Sequence, residues 1–329
     1  MRTQSIEFQS ILADAIRRFL AHKRALGRRF DVEEKTLKLL DHFLVEREIG
    51  SLEAISADVI DAFLATRPRS TARSYNHLLG TVRRLFDWLM AQGVVAVSPV
   101  KATKRRQTTR RIPFLFDRNT AKRLLDVASK LPDNSLAPMR ALTYRTIFAL
   151  LYGLGLRVGE ITRLCLGDVD FNRQLLVVRE TKFYKSRLVP FGPQIANLLT
   201  TYLKSRQPCP GNLTNDAPLF SFVRNRPINP GTISLAFHAL IPQLALSVPE
   251  GVSPPRLHDL RHSFAVGTLL RWYRSGIDPG SRLLALSTFM GHVSPVSTAE
   301  YLTITSDLLQ VAAERFEKFA SPLIRKELP

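Results

Sequence analysis

The side chains able to do phosphate chemistry lie in separated stretches of the chain. Arg157 stands in LLYGLGLRVGEITRL, residues 150–164. There Gly153 and Gly155 interrupt one helical pattern, and Val158, Ile161 and Leu164 begin another at threefold spacing. Free backbone N–H groups at a helix start, joined by a guanidinium, suit an anion; the plain alternative is that Arg157 pairs with Glu160 at the surface. His258 and Arg261, in PRLHDLRHSFAVGTLLRWYRSG, are three residues apart. A helix beginning near Pro254 and Pro255 projects both from one face, able to hold a phosphate between them, while Leu257, Leu260 and Phe264 turn to the core. On this reading His262 faces elsewhere and is structural. In FMGHVSPVSTAEYLT, residues 289–303, Gly291 ends a short helix bearing Leu283, Leu284 and Phe289 and leaves His292 in a turn. Ser297 or Thr298 caps a further short helix that carries Tyr301.

Arginines, histidines and a tyrosine make a set for nucleophilic attack on a phosphodiester. A phenol with a pKa near 10 is a poor nucleophile, so its proton must be taken and the charge growing on phosphorus neutralised. Arginines serve the second task and a histidine the first. A lysine at the tip of a hairpin, Lys182, could reach a neighbouring group; Lys185 and Arg187 stand close by, and spacing alone does not choose among them. Surface hairpins also carry lysines for solubility. No clustered carboxylate pair accompanies the histidines, so no metal is expected.

The elements that position these groups are mostly helical. Ile11, Ala15, Phe19 and Leu20 share one stripe, Leu37, Leu40, Phe43 and Leu44 a second, and Leu78, Val82, Leu85, Phe86 and Leu89 a third. These spacings predict an amino-terminal helical domain of four or five helices over residues 1–100, with Ser70 or Thr71 capping the helix that carries Arg73, Arg83 and Arg84. Residues 101–113 read as a linker ending at Pro113, with Lys101, Lys104, Arg105, Arg106, Arg110 and Arg111 and no acidic residue. Residues 114–329 form the second domain. Its pattern is helical except at DVDFNRQLLVVRETKFYKSRLVPFG, where Leu175–Val178 and Leu188–Phe191 predict a small antiparallel sheet. A helix over 306–320 closes the chain and serves either as core or as a docking element for a neighbouring copy.

Length and composition support two globular domains, 329 residues with 45% hydrophobic and 23% charged. Lys and Arg number 47 against 28 Asp and Glu, a net charge of +19. Residues 1–113 carry 21 basic and 12 acidic side chains and the remainder 26 and 16, so both halves are basic, at +9 and +10. A surface of that sign seeks a polyanion, and two basic domains joined by a basic strap suggest a clamp around duplex DNA. In that setting Arg73, Arg83, Arg84 and the six strap residues are candidate phosphate contacts. Two cysteines, Cys165 and Cys209, are too few for a disulfide framework and fit a reducing, cytoplasmic setting. No signal peptide or membrane span is expected.

The order Arg, Lys, His-x-x-Arg, Gly-His, Tyr, carried by GLRVGEITRL, KSRLVPFG, LHDLRHSFA and MGHVSPVSTAEYL, resembles the tyrosine recombinase family of phage integrases, Xer-type resolvases and transposon recombinases. The resemblance spans roughly residues 140–305, and the helical amino-terminal region is similar in kind to the family's core-binding domain. It implies a mainly α fold with a small antiparallel sheet, and a site-specific DNA recombinase working without cofactor. By the same matching Arg157 and Arg261 clamp the scissile phosphate and Tyr301 is the nucleophile. Lys182, or else Lys185, protonates the leaving 5′ oxygen. His258 assists proton transfer at the tyrosine, His292 supports the transition state, and Glu160 helps arrange the site. The hairpin departs from the family's usual Gly-Lys, with Thr181 ahead of Lys182 and Phe183 and Tyr184 behind it. The resemblance further implies a 3′-phosphotyrosyl intermediate, a Holliday junction, a homotetramer on two DNA sites, and an accessory protein or second recombinase as a candidate partner. The phrase ETKFYKSRLVPFG leans towards transposon-borne members. A type IB topoisomerase shares the chemistry, and a non-cutting DNA-binding accessory protein shares the fold.

Overall fold

In the computed structural model, residues 8–106, 112–179, 186–206, 214–223, 226–292 and 294–303 are described below. The chain divides into two compact units, Met1–Arg110 and Arg111–Pro329.

Among the described residues four helices build the first unit: α1 (Ala13–Ala25), α2 (Asp31–Glu46), α3 (Ala57–Ala65) and α4 (Ala72–Ala91). Their stripes meet in one core, with Phe19, Leu37, Leu40, Phe63, Leu85 and Phe86 almost wholly buried. The predicted stripes hold for α2 and α4. In α1 the inward residues are Ala15, Ile16, Phe19 and Leu20, joined by Leu12 at the N-cap, whereas Ile11 is 44% exposed. Ile11 lies just ahead of the first helical turn, where the periodic argument has no helix to act on. Thr71 caps α4, its Oγ1 accepting from the Ser74 N–H at 3.2 Å. The basic stretch 101–106 is fastened to α4: the Asn76 side chain exchanges two 2.8 Å hydrogen bonds with the Arg105 backbone, and the Arg105 guanidinium lies 3.9 Å over the Tyr75 ring.

The second unit opens with α5 (Arg118–Ala128), α6 (Arg140–Gly153) and the single turn α7 (Val158–Ile161). A sheet of β1 (Val169–Asp170), β2 (Leu175–Val178) and β3 (Arg187–Pro190) follows in the order β1-β2-β3, all antiparallel, with Leu176 facing Val169 on one side and Val189 on the other. Leu176, Val178 and Val189 point inward, as a period of two requires. Then come α8 (Pro193–Ser205), α9 (Pro230–Leu240), α10 (Asp259–Arg274), α11 (Pro279–Met290), α12 (Val296–Ala299) and a 3-10 turn, Glu300–Thr303. A large core around Phe148, Leu150, Leu199 and Phe237 holds α5 to α9 together. A smaller one, with Val266, Leu269, Leu286, Met290 and Tyr301, joins α10, α11 and the final turn. Among the described residues no helix is long and apolar enough to cross a membrane.

Candidate active site

α6 ends where Gly155 takes φ +59, a left-handed conformation, and a Cβ at that position would run into the Phe264 ring. The reversal sets Arg157 at the N-cap of α7. The Glu160 carboxylate accepts from the Arg157 N–H at 2.9 Å and from its Nη1 at 2.7 Å. The pairing weighed for the surface is therefore present, but Glu160 is only 3% exposed. From β3, Arg187 grips the same carboxylate through both terminal nitrogens, each at 2.9 Å. Burial alone would raise the Glu160 pKa; Arg187 first and then Arg157 outweigh it and hold the carboxyl at about 2.

The helix α10 supplies the next groups. Its start is fixed by the buried Asp259, which accepts from the Arg256 N–H and from Arg256 Nη2, each at 2.9 Å. His258, Arg261 and His262 then fall at spacings of three and four, so all three share a face. This corrects the expectation that His262 points away: its Nδ1 lies 3.0 Å from the Tyr301 hydroxyl, and its ring meets His258 edge-on at 4.7 Å. The i, i+4 step from His258 was the signal available in the sequence. It is also the spacing of a helical metal-ligand pair, yet among the described residues no three of His, Cys, Asp or Glu gather to hold a metal ion.

Arg261 is 2% exposed. Its guanidinium donates to the Gly155 carbonyl and, at 2.6 Å, to the Met290 carbonyl. Two further arginines use the neighbouring carbonyls: Arg187 Nε donates to Phe289 O at 2.8 Å and Arg157 Nη2 to Gly291 O at 3.0 Å. Three successive carbonyls at the end of α11, left over when a helix stops, thus each receive a different guanidinium. Gly291 closes the helix at φ +66, and a Cβ there would lie 2.8 Å from Arg187 Nη1, so glycine is required twice over. In the sequence Arg187 stands out only as a neighbour of the hairpin lysine. It lies in register with inward-facing Val189, two residues on, and a charge on the inner face of a strand was the clue.

Immediately beyond this junction His292 Nδ1 pairs with Thr298 Oγ1 at 2.6 Å. Thr298 is fully buried inside α12, and Pro295 rather than Ser297 or Thr298 occupies the N-cap position. The expected capping residue instead orients a histidine. Tyr301 is 5% exposed, its ring 5.5 Å from His262 and 6.1 Å from His292.

Electrostatics follow from this crowding. Burial, then Arg256 and Arg261, push the His262 imidazole down to about 4; burial, then Arg261 and Arg157, do the same to His292. His258 moves in the same direction through burial and His262, but it sits open to solvent at the helix start and water tempers the effect. Burial pushes the Tyr301 phenol up, while Arg261 and Arg157 pull against it. His262, His292 and Tyr301 are therefore neutral donors or acceptors at pH 7, set among guanidinium charges. Such a pocket can bind a monoanion, move a proton at a phenol, and stabilise charge on phosphorus.

The structure brings Arg157, Glu160, His258, Arg261, His292 and Tyr301 into one region and adds Arg187 and His262 to them. Lys182 and Lys185 lie outside the described residues, as do Arg110, Arg111 and residues 306–320, where a final helix is expected. Lys101, Lys104, Arg105 and Arg106 are exposed, as are Arg73 and Arg84. Arg83 donates to the Ala102 carbonyl, and Arg84 stands 3.5 Å from Glu33.

Comparison with known proteins points one way. A profile described as the phage integrase family matches residues 115–307, and one for its N-terminal SAM-like domain matches residues 34–93. The integrase/recombinase y4rB of Sinorhizobium fredii is 33% identical over 94% of this chain and 98% of its own length. A tyrosine recombinase XerC from a Methylobacterium strain is 29% identical over 91% of this chain and 83% of its own. Among solved structures, the Tn1549 transposon integrase with a circular-intermediate DNA aligns at TM-score 0.64 and 16% identity, covering 92% of this chain and 99% of that one. A lambda integrase dimer on a core site aligns at 0.62 and 20%, over 88% and 76%. At those identities the structures attest the fold.

Proposed function

Because the chain belongs to the phage integrase family and is a tyrosine-type site-specific DNA recombinase, we propose how its own residues divide the work of cutting and rejoining DNA. The family match extends over both units, and neither simple DNA relaxation nor a non-cutting accessory role is favoured. Tyr301 attacks the scissile phosphate, forming a 3′-phosphotyrosyl bond and releasing a 5′ hydroxyl. Arg157 and Arg261 hold the non-bridging oxygens as charge builds, and His292, steered by Thr298, supports the same charge. Glu160 keeps Arg157 in place. An imidazole of the His258–His262 pair serves proton transfer at the tyrosine, and Lys182 delivers a proton to the departing 5′ oxygen. A 5′ hydroxyl of the partner duplex reverses the attack, so bond energy is kept in the covalent intermediate. Two such rounds pass through a Holliday junction and need four active sites, which a homotetramer on two duplex sites supplies. Arg73, Arg83, Arg84 and the basic residues at 101–111 track phosphates along the duplex. The protein works in the cytoplasm on nucleoid DNA and moves or resolves a mobile element.

The single observation supporting this reading is the packing of a buried tyrosine among guanidiniums, with the His262 imidazole at its hydroxyl. An SDS-resistant protein–DNA adduct assay in EDTA, on DNA flanking the gene, tests it. Wild type is expected to form the adduct; Tyr301→Phe is expected to bind DNA equally and form none. Adduct from Tyr301→Phe would move the nucleophile to another tyrosine.

A further inference from the structure

We propose that His262, and not His258, is the group that takes the proton from the Tyr301 hydroxyl at cleavage and returns it at rejoining. The inference rests on the reading of Tyr301 as nucleophile and sharpens it.

Geometry carries the assignment. His262 Nδ1 is 3.0 Å from Tyr301 Oη, within direct transfer distance for a general base. His258 touches His262 rather than supplying the hydroxyl contact, its ring edge-on at 4.7 Å. His292, the third imidazole, spends its Nδ1 on Thr298, and its ring stacks 6.1 Å from the tyrosine. A buried phenol needs a hydrogen-bond partner, and His262 is the one the structure gives it.

The proton state is also suitable. Burial, with Arg256 and Arg261 nearby, keeps the His262 imidazole neutral at pH 7, and in its Nε2–H tautomer the lone pair on Nδ1 faces the hydroxyl. The Glu160 carboxylate is shared by Arg157 and Arg187, so positive charge around Arg261 stays in excess until DNA arrives. A phosphate entering beside Arg157 and Arg261 offsets the guanidinium charge that disfavours imidazolium, so substrate binding itself makes His262 a stronger base. In the step, the Tyr301 O–H proton passes to Nδ1 as the oxygen–phosphorus bond forms and the phosphorus–5′ oxygen bond breaks. The 5′ oxygen takes its proton from the general acid. At rejoining the 5′ hydroxyl gives its proton back to that general acid, now acting as base, as it attacks phosphorus; the phosphorus–Tyr301 oxygen bond breaks and the imidazolium protonates the leaving phenolate.

The test compares His262→Asn, His262→Gln and His258→Asn with wild type in the adduct assay on the protein's own site from pH 6 to 9, with DNA binding measured alongside as the control for folding. The asparagine amide keeps a polar atom near the place of Nδ1 but cannot carry a proton at these pH values. His262→Asn is expected to bind like wild type and to cleave on the order of a hundredfold more slowly at pH 7. Its rate should then climb roughly tenfold per pH unit as phenolate forms unaided, while wild type stays level. A slow His262→Asn whose profile runs parallel to wild type would reduce His262 to a structural role and overturn the proposal. So would a climbing profile in His258→Asn with both His262 variants unaffected. No adduct from wild type at all would instead remove the reading beneath it.

Discussion

Arginine is used in opposite ways by the two units. In the first, Arg84 is 46% exposed by its side chain, faces Glu33 at 3.5 Å and lies 5.7 Å over the Phe30 ring. In the second, Arg261 is 2% exposed, and the Arg187 side chain 9%. An exposed guanidinium needs little help because water solvates it, and its ion pair contributes at most about 1 kcal/mol. A buried one must have its donors met by fixed acceptors, or the desolvation cost is not recovered. The carbonyls of Gly155, Phe289, Met290 and Gly291 and the Glu160 carboxylate are those acceptors. Surface arginines can follow a phosphate backbone that varies in position, whereas buried, fixed ones are suited to holding a single phosphate in one place. Charge count alone does not separate the two, since the halves carry +9 and +10.

The sharpest way to break this contrast is Arg261→Gln. If its guanidinium is built for charge that appears only at the transition state, single-turnover cleavage should fall on the order of a thousandfold while DNA binding changes little. An equal loss in binding and cleavage would make Arg261 another backbone-tracking arginine.

Glu160→Gln comes next, read as stability. It removes the anion shared by Arg157 and Arg187 and leaves buried positive charge unpaired, at a cost of about 3–5 kcal/mol in urea unfolding. The pH dependence has a definite sign. Glu160 is held at about 2, below its ordinary 4.5, so its stabilisation is complete above about 4.5 and disappears as pH falls towards 2. The gap between wild type and variant should therefore narrow by about 3 kcal/mol across that window. A gap that stays constant would mean that the carboxylate charge is not what holds the arginines.

The smallest effect is expected from Arg73→Gln combined with Arg84→Gln. Unfolding free energy should move by no more than about 1 kcal/mol. The slope of log K against log salt should become shallower by about 0.9 for each phosphate contact removed. An unchanged slope would show that these arginines only solvate the helix.

Local periodicity made most of the fold legible. The stripes of α2 and α4 depend on spacing alone, and the break at Gly153 and Gly155 placed Arg157 at a helix start without knowledge of its partners. What escaped depends on contacts distant in sequence. Arg187 is buried because Glu160 and the Phe289 carbonyl meet it, 27 and 102 residues away. His262 was misplaced by treating adjacency to Arg261 as opposite facing, when its four-residue step from His258 placed it on the same face. Thr298 resembled a cap because threonine favours caps, yet tertiary packing gave its hydroxyl to His292.

The convergence of three guanidiniums on the carbonyls of residues 289–291 also limits how this chain can lengthen. Consecutive residues of a helix point about 100° apart, so each arginine approaches along its own direction. One residue inserted between Leu286 and Met290 would rotate the set and offer every guanidinium its neighbour's carbonyl, displacing His292 with it. At the other end of α11, Asp278 caps the Gly280 and Ser281 N–H groups from an exposed turn. Insertions at that turn leave the pairing untouched, so the helix is free to change length from its start but not at its finish.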